Sequence, residues 1–512
     1  MAPLRTRHSG PNNPRPLSSI RALADQAFSR AAGAPLIAGN SVRHLKDARE
    51  NYPAWLDAIA AARNFIHFES YIIHDDEMGR RFAAALAEKA REGVRVRLIY
   101  DWLGALGRTS GRFWRSLRDA GVEVRCFNPP RIESPLGWLS RDHRKMVAVD
   151  GKVCFVTGLC VGRMWAGDSE RGIDPWRDTG IEVKGPAVAD LEQAFGQVWA
   201  AIGGALPNDE LPPRESFEQA GNTMVRVIAT VPNTSGLYRL DQLIAALARK
   251  RLWLTDAYFV GVSSYVQGLC AAALDGVDVR LLVPGATDIP VLRALSRAGY
   301  KPLLESGVRV YEWNGAMVHA KTAVADGMWA RVGSSNLNIS SWMGNYELDV
   351  AVEDREFARD MEETYQDDLE NATEIVLTSR KRVRPLSARR RGGRRRFMMR
   401  NTGSVGRVGA GAVTIGSAVG AAITDHRTLG PAEAKVMAGS GLLVLVLGLV
   451  ALFLPRAFTI PLALFGGWMG VSLLVRAYRL YREGKRLASE RTEGDNSPPG
   501  SEVRSGRTKK KL

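Results

Sequence analysis

The chain has 512 residues, of which 45% are hydrophobic, and this composition excludes a disordered or fibrous protein and allows two or three packed domains. Its four cysteines show no zinc-like spacing, which argues against a metal site or a disulfide framework and fits a reducing environment. The formal net charge of +16 is uneven: residues 380–512 contain 26 Lys and Arg against 7 Asp and Glu, whereas residues 1–379 contain 44 against 47. The near-neutral charge of residues 1–379 argues against a nucleic-acid partner, because such partners are bound by a basic surface.

The first 33 residues lack the hydrophobic stretch of a signal peptide, and we interpret them as a loose N-terminal tail. From about Pro35 to Ile202, strand-like and helix-like patterns alternate. The pattern predicts a strand over residues 64–72, a helix over residues 77–91 and a strand over residues 94–100. We therefore expect a parallel or mixed sheet covered by helices.

The most informative feature of this region is the pattern His-x-Lys-x4-Asp, formed by His143, Lys145 and Asp150. It lies in an apolar, strand-like run that leads into the loop Thr157-Gly158-Leu159-Cys160. Because side chains alternate along a strand, His143 and Lys145 are expected to share one face.

A Gly- and Pro-rich stretch, from Gly203-Gly204 through Pro207 to Pro212-Pro213, predicts a linker, which we assign to residues 206–222, and after it the pattern restarts. Short strings of the first region recur in the same order: Glu69-Ser-Tyr71 as Asp256-Ala-Tyr258, Gly93-Val-Arg-Val as Gly276-Val-Asp-Val, and Gly121-Val-Glu-Val as Gly307-Val-Arg-Val. Gly-Val-x-Val is a common helix-to-strand junction, which could explain any one of these repeated strings by itself. Their shared order favours a tandem duplication of about 170 residues.

The His-x-Lys-x4-Asp pattern also recurs, as His319, Lys321 and Asp326. This second copy is followed by the loop Gly333-Ser334-Ser335-Asn336, at the offset of the first-half loop. A lone histidine is more often a structural residue than a catalytic one, but two copies in matching settings favour catalysis.

The basic excess flanks apolar C-terminal segments. Residues 438–454 and 457–475 each approach the length that spans a bilayer, and only Pro455-Arg456 separates them. Basic residues on both outer flanks predict a transmembrane hairpin whose two ends face the cytoplasm, on an anionic membrane surface. A buried soluble hairpin is the alternative, and the Gly- and Ala-rich residues 408–424 are a possible third membrane segment.

Two histidines and two lysines supply the chemistry that cleaves a phosphodiester without a metal or cofactor. One imidazole, neutral near pH 7, can attack phosphorus, and the other, protonated, can donate a proton to the leaving oxygen. Lys145 and Lys321 would neutralise the non-bridging oxygens, and Asn336 belongs to the candidate catalytic set. Gly333 and Ser334 would bind the phosphate or support the residues that do. The site is predicted to lie between the halves, since neither half supplies both histidines.

Each imidazole needs a hydrogen-bonding partner that fixes its tautomer. Asp178 and Glu347, each about thirty residues after a motif histidine, are the candidates for this role. Asp150 and Asp326 belong to the catalytic motif by pattern, but they lie further along their strands. We expect them to form structural hydrogen bonds at the strand ends.

Residues 35–378 resemble the phospholipase D superfamily, and more narrowly the bacterial cardiolipin synthases. The resemblance rests on His143-Arg144-Lys145, Pro175-Trp176-Arg177-Asp178-Thr179, Gly185-Pro186-Ala187-Val188, Tyr258-Phe259-Val260, Val283-Pro284-Gly285 and His319-Ala320-Lys321-Thr322. It implies two α/β halves around one metal-independent site, a phosphohistidine on His143, and His319 as general acid and then base. It also implies transfer of a phosphatidyl group to a lipid hydroxyl, such as that of a second phosphatidylglycerol, with release of glycerol.

The chain departs from this family in three places. Thr157 and Cys160 stand where the first half usually has Gly and Asn, which puts the first-half phosphate contacts in doubt. Gly180 stands where a His is common. The membrane helices are predicted after the catalytic region, although the family usually has them before it.

The predicted fold is therefore α/β, a tandem duplication of two phospholipase D-like halves packed around a shared site, followed by a C-terminal transmembrane hairpin. The predicted boundaries are residues 1–33 (tail), 34–205 (first half), 206–222 (linker), 223–379 (second half), 380–400 (basic juxtamembrane segment), 401–480 (membrane region) and 481–512 (polar basic tail).

The predicted function is a phosphatidyltransferase of the cardiolipin synthase type, located at the bacterial inner membrane with its catalytic region facing the cytoplasm. A phospholipase D that releases phosphatidic acid is the alternative, because the choice between water and a lipid hydroxyl is not encoded in the motif. A nuclease would require a basic catalytic surface, and a non-enzymatic scaffold would tolerate loss of either histidine. The sequence indicates no oligomeric state.

Overall fold

The structure is a computed structural model that describes residues 16–130, 140–377 and 383–385, together with scattered positions between residues 445 and 478. By contacts the chain divides into two compact units, the first formed by residues 1–129 and 139–439 and the second by residues 130–138 and 440–512. The first unit contains both copies of the motif. In the second unit, the described positions between residues 445 and 478 are helical.

The first half has strands β1 (Ile37–Lys46), β2 (Phe65–Ser70), β3 (Arg95–Asp101), β4 (Glu123–Phe127), β5 (Lys145–Val149), β6 (Val153–Thr157) and β7 (Thr179–Lys184). Helix α1 (Pro16–Ala32) precedes it, and its own helices are α2 (Asp47–Ala61), α3 (Glu77–Arg91), α4 (Trp102–Ala105), α5 (Gly111–Asp119), α6 (Arg163–Ala166) and α7 (Ala187–Ala201). Capping side chains define three of these helix starts, because Asp76 accepts from Gly79 N, Asp101 accepts from Leu103 N, and Ser110 accepts from Phe113 N.

Two short 3-10 turns, Asn208–Glu210 and Arg214–Ser216, lie between the halves. The second half has strands β8 (Thr223–Thr230), β9 (Arg251–Thr255), β10 (Asp278–Pro284), β11 (Arg309–Trp313), β12 (Thr322–Ala325), β13 (Trp329–Gly333), β14 (Glu347–Glu353), β15 (Ala372–Leu377) and β16 (Val383–Pro385). Its helices are α8 (Gly236–Leu247), α9 (Ser263–Leu274), α10 (Pro290–Ala298), α11 (Tyr300–Glu305) and α12 (Arg355–Glu370), with a π-helical turn over Ser340–Gly344.

The strands of the described residues form one continuous sheet, in the order β16-β15-β11-β10-β9-β12-β13-β14-β8-β1-β7-β6-β5-β2-β3-β4. The order is symmetric about the antiparallel β8–β1 pair, and β15 and β16 extend the second half. In each half three strands run parallel, β2-β3-β4 and β9-β10-β11, and the motif-bearing strand pairs antiparallel with the first of them. This symmetry confirms the predicted duplication.

The core lies on both faces of the sheet, as alternation along the strands requires. On β5, Met146 and Ala148 face a central core with α7 and α12, whereas Val147 and Val149 face the first-half core under α2 and α3. The central core contains residues of both halves. The halves are therefore joined by apolar burial, which stabilises by about 25 cal/mol per Å².

The predicted strands over residues 64–72 and 94–100 correspond to β2 and β3, and the predicted helix over residues 77–91 is α3, with the same bounds. The interpretation of residues 1–33 as a loose tail is wrong for residues 16–32, which form α1. This helix packs on α8 of the second half, whose Arg239 donates to the Ala31 carbonyl at 3.0 Å, and Arg226 of β8 donates to Ser29 Oγ at 2.8 Å. Residues 1–15 lie outside the described residues.

The predicted transmembrane hairpin, the possible third segment over residues 408–424 and the basic tail lie almost wholly outside the described residues. In the part of the chain that is described, we find no helix with the length and apolar character needed to span a membrane. Of the basic segment over residues 380–400, residues 383–385 are described and form β16.

Candidate active site

His143 lies just before β5, where the chain docks onto the second half. Its backbone N–H donates to the carbonyl of Tyr346 at 2.9 Å, and Tyr346 N donates back to the Arg141 carbonyl at 2.8 Å. The side chain is 12% exposed, and its Nδ1 atom is 2.8 Å from Oε2 of Glu347. The first-half histidine therefore takes its carboxylate partner from the second half.

His319 lies just before β12 in the corresponding arrangement. Its backbone N–H donates to the carbonyl of Arg177 at 2.6 Å, and Arg177 N donates to the Met317 carbonyl at 2.9 Å. Its Nδ1 atom is 2.7 Å from Oδ2 of Asp178, and the side chain is 5% exposed. The two histidine–carboxylate pairs are thus crosswise, each joining one half to the other.

The sequence predicted that Asp178 and Glu347 would fix the imidazole tautomers, and the structure places both carboxylates at hydrogen-bonding distance from a motif histidine. Both carboxylates are fully buried. A carboxylate that accepts from Nδ1–H holds the imidazole in the tautomer whose Nε2 carries a lone pair. The arrangement therefore gives each ring an unprotonated Nε2.

Burial determines the protonation of both rings. It lowers the pKa of His143 to about 4, although Glu347 opposes the shift, and it lowers the pKa of His319 to about 3 with the help of the Lys321 charge. Both rings are therefore neutral near pH 7. The expectation that one of them is protonated in the free site is wrong, because the sequence does not reveal the depth of burial.

The two motif lysines lie beside their histidines. The Lys145 ammonium donates to the His143 carbonyl, and the Lys321 ammonium is 3.0 and 3.1 Å from the two ring nitrogens of His319. Each lysine charge also lowers the pKa of the histidine in the opposite half, which shows that the four groups share one electrostatic environment. Burial lowers the pKa of Lys321 to about 8.

The loop after β13 supports Glu347, which is one of the two roles expected for Ser334. Ser334 Oγ donates to Glu347 Oε2 at 2.6 Å and accepts from Leu348 N at 3.0 Å, so it holds the carboxylate instead of presenting a free donor to phosphate. Gly333 lies against Asp349, where an added Cβ would be 2.3 Å from Oδ1. Asn336 is 4% exposed, and its Oδ1 has no hydrogen-bond partner among the described residues.

The first-half loop lacks this amide. Thr157 Oγ1 accepts from Leu159 N at 3.0 Å and donates to the Thr179 carbonyl at 3.2 Å, so its hydrogen bonds are made to backbone groups. Cys160 is 1% exposed, and burial raises the pKa of its thiol. Gly180 has no room for a side chain, since a Cβ there would be 2.0 Å from Asn51 Oδ1. The Asn51 side chain thus occupies the space beside Gly180, where the family commonly has a His.

Asp150 and Asp326 form hydrogen bonds at the strand ends, which is the structural role expected for them. Asp150 accepts from the backbone N–H groups of residues 63, 64 and 65, and Asp326 accepts from those of residues 249, 250 and 251. Asp150 lies five residues beyond Lys145 along the strand, which is about 16 Å at 3.3 Å per residue. Both aspartates adopt a positive φ and tie the end of one strand to the start of another.

Four aromatic side chains that contact the imidazoles were not predicted from the sequence. The Tyr71 ring stands edge-on to His143 with centroids 5.0 Å apart, and the Tyr258 ring stands edge-on to His319 at 5.9 Å. Trp165 and Trp176 also contact the His319 ring, at 5.8 and 5.4 Å. The repeated string that ends in Tyr71 and in Tyr258 indicates duplication, and it also marks these two rings.

Within the described residues, no cluster of three or more His, Cys, Asp or Glu side chains is arranged to ligate a metal ion.

Comparison with known proteins gives consistent results. The family described as "Cardiolipin synthase, PLD-like domain" matches residues 55–199 and 241–369. Cardiolipin synthase A of Pseudomonas fluorescens (strain SBW25) is 33% identical over 371 residues, which cover 70% of this chain and 75% of that protein. Cardiolipin synthase of Alkalihalophilus pseudofirmus is 34% identical over 347 residues, which cover 67% of this chain and 68% of that protein.

Among solved structures, the phosphatidylserine synthase of Haemophilus influenzae Rd KW20 matches with a TM-score of 0.53 and 15% sequence identity. The match covers 68% of this chain and 91% of that structure. At this identity the likeness concerns the fold alone.

Proposed function

The chain belongs to the cardiolipin synthase family of phospholipase D-like proteins, and from this membership and the paired-histidine site we propose that it is a phosphatidyltransferase of the cardiolipin synthase type. The observation that carries the proposal is the pair of crosswise contacts, His143–Glu347 and His319–Asp178. They hold one imidazole from each half beside one lysine from each half.

In the first step, Nε2 of His143 attacks the phosphorus of a phospholipid. A P–N bond forms, the P–O bond to the headgroup alcohol breaks, and the phosphatidyl group remains on His143. His143 is the more exposed of the two motif histidines, which supports its assignment as the nucleophile. Glu347 stabilises the positive charge that develops on the ring.

Proton transfer to the departing alcohol is assigned to His319. Its pKa is low in the free site because of burial and the Lys321 charge. A bound phosphodiester places negative charge beside the ring, which raises that pKa toward the value that a general acid requires. Lys145 and Lys321 neutralise the oxygens of the phosphorus centre, as compact ammonium groups do.

In the second step, the hydroxyl of another lipid attacks the phosphohistidine while His319 accepts its proton. The new P–O bond releases His143. Aromatic rings from both halves line the imidazoles and reduce the space for water, which favours transfer over hydrolysis. With phosphatidylglycerol as both donor and acceptor, the products are cardiolipin and glycerol.

We propose that the enzyme works at the bacterial cytoplasmic membrane, with its catalytic halves on the cytoplasmic side. Support comes from the two apolar segments over residues 438–454 and 457–475 and from the basic residues that flank them. These charges suit the anionic lipids of a cytoplasmic leaflet.

The test is to incubate the purified full chain with phosphatidylglycerol in mixed micelles and to measure the lipid products by mass spectrometry. The proposal predicts cardiolipin and free glycerol in equal amounts. Release of phosphatidic acid without cardiolipin would identify a hydrolase and contradict the transferase assignment.

A further inference from the structure

Arg108 is a cation near the site that the catalytic steps above do not use. It follows α4, and its backbone is fixed on the segment after β2, because its carbonyl accepts from Asp75 N at 3.1 Å. Next to it, the Thr109 hydroxyl donates to the Ile73 carbonyl. The side chain is half-buried, and Nη1 is 3.5 Å from Nε2 of His74.

Among the described residues, no carboxylate lies within ion-pair distance of the Arg108 guanidinium. Neighbouring cations differ in this respect, since Arg163 and Arg171 both pair with Asp168 and Arg80 pairs with Asp75. A half-buried guanidinium without a carboxylate is suited to an anion that comes from outside the protein, because its planar set of donors matches phosphate oxygens.

A series of contacts, together with an electrostatic effect, places Arg108 beside the catalytic centre. The ring of its neighbour His74 is 5.9 Å from Trp165, whose ring is in turn 5.8 Å from His319. The Arg108 charge also acts on the hydroxyls of Tyr71 and Tyr258 and lowers the pKa of both, against the larger effect of burial. Those tyrosines come from opposite halves, and each contacts a motif histidine.

The reacting phosphate already has two cations, because Lys145 and Lys321 lie directly beside the imidazoles. A third cation further out fits a second phosphate. The proposed reaction supplies one: an acceptor phosphatidylglycerol carries its own phosphodiester, separated from the reacting hydroxyl by the three carbons of glycerol.

We propose that Arg108 binds the phosphodiester of the acceptor lipid and thereby directs the phosphohistidine toward a phospholipid hydroxyl. The inference rests on the proposed function, and it concerns the second step of the reaction. Water and small neutral alcohols lack this phosphate, so Arg108 does not contribute to their binding as acceptors.

A partition experiment separates the second step from the first. The full chain is given phosphatidylglycerol in mixed micelles together with 1-butanol, so that one intermediate yields either cardiolipin or phosphatidylbutanol. The ratio of these products depends only on how the acceptors compete. In Arg108→Gln we expect the cardiolipin to phosphatidylbutanol ratio to fall about tenfold, as for loss of a charge-assisted hydrogen bond.

Two further variants are compared with Arg108→Gln. Arg108→Lys retains the positive charge and should recover part of the ratio. Arg115→Ala removes an exposed arginine of α5 in the same half and should keep the wild-type ratio. An unchanged ratio in Arg108→Gln would overturn the inference, and so would loss of phosphatidylbutanol formation, because the acceptor site is not needed to form the intermediate. If the wild type makes phosphatidylbutanol but no cardiolipin, the proposed function itself fails.

Discussion

Glu347 of the second half accepts a hydrogen bond from Nδ1 of His143 in the first half over 2.8 Å, and Asp178 of the first half does the same for His319 at 2.7 Å. Each histidine–carboxylate pair is therefore completed only when the halves dock. Backbone hydrogen bonds reinforce these contacts between the halves. The backbone N–H of each histidine donates to the carbonyl of the residue that precedes its carboxylate partner.

Asp178→Asn and Glu347→Gln should each lower kcat by a factor on the order of 10² to 10⁴, with little change in KM. The neutral amide removes the charge that stabilises the imidazolium and can present its NH₂ group to Nδ1, which favours the wrong tautomer. The measurement is cardiolipin formation by the purified variants. Asp119→Asn, an exposed change on α5, is the matched control. Full activity in either dyad variant would show that the carboxylates are structural.

The activity of the enzyme should fall as the pH rises through about 8. The pKa of Lys321 is lowered to about 8 by burial, so the ammonium is charged below this pH and neutral above it. Loss of the charge weakens phosphate binding, and kcat/KM should decrease with a single ionisation. Lys321→Arg cannot deprotonate in this range and should lose the alkaline limb while retaining some activity. The same limb in both proteins would exclude Lys321 as its origin.

The buried His67 cluster should stabilise the fold most at neutral and acidic pH. His67 lies between the fully buried Glu192 and Glu210, whose charges outweigh the effect of burial and raise its pKa from 6.5 to about 9. A raised pKa contributes stability that is fully present below pH 6.5 and lost as the pH rises through 9, by up to about 3 kcal/mol.

The measurement for His67 is the free energy of unfolding of wild type and His67→Gln at pH 6.5 and pH 9. The difference between the two proteins should shrink at the higher pH. A difference that stays constant would mean that His67 does not change its charge across this range.

Asp150→Ala and Asp326→Ala should reduce stability without lowering the specific activity of the folded protein. Each carboxylate accepts from three backbone N–H groups at the start of a neighbouring strand, and each loss should cost on the order of 1–3 kcal/mol. Thermal unfolding and turnover per folded molecule are the two measurements. A large fall in kcat at unchanged stability would return these aspartates to the catalytic set.

The duplicated pattern was sufficient to predict the α/β halves and to select side chains that the structure brings into contact. Two copies of His-x-Lys-x4-Asp in matching strand contexts identified His143 and His319, and spacing pointed to Asp178 and Glu347. Spacing did not reveal that the carboxylates are exchanged, because the exchange depends on how β5 and β12 face each other. The relative placement of these two strands is set by the folded structure and cannot be obtained from sequence spacing.

Other errors have equally specific causes. The lack of a long apolar run in residues 1–33 predicts a loose tail and does not reveal helix α1, whose order comes from packing on α8, which is distant in sequence. The neutral state of both histidines follows from burial, which composition does not report.

The most direct test of the two-histidine mechanism is to trap the intermediate. His319→Ala removes the group that protonates the leaving alcohol and later activates the acceptor, so an adduct formed slowly should persist. After incubation with phosphatidylglycerol, peptide mass spectrometry at neutral to alkaline pH should locate a phosphatidyl group on the peptide that contains His143, and His143→Ala should show none. An adduct on another residue, or cardiolipin formation by His143→Ala, would contradict the account.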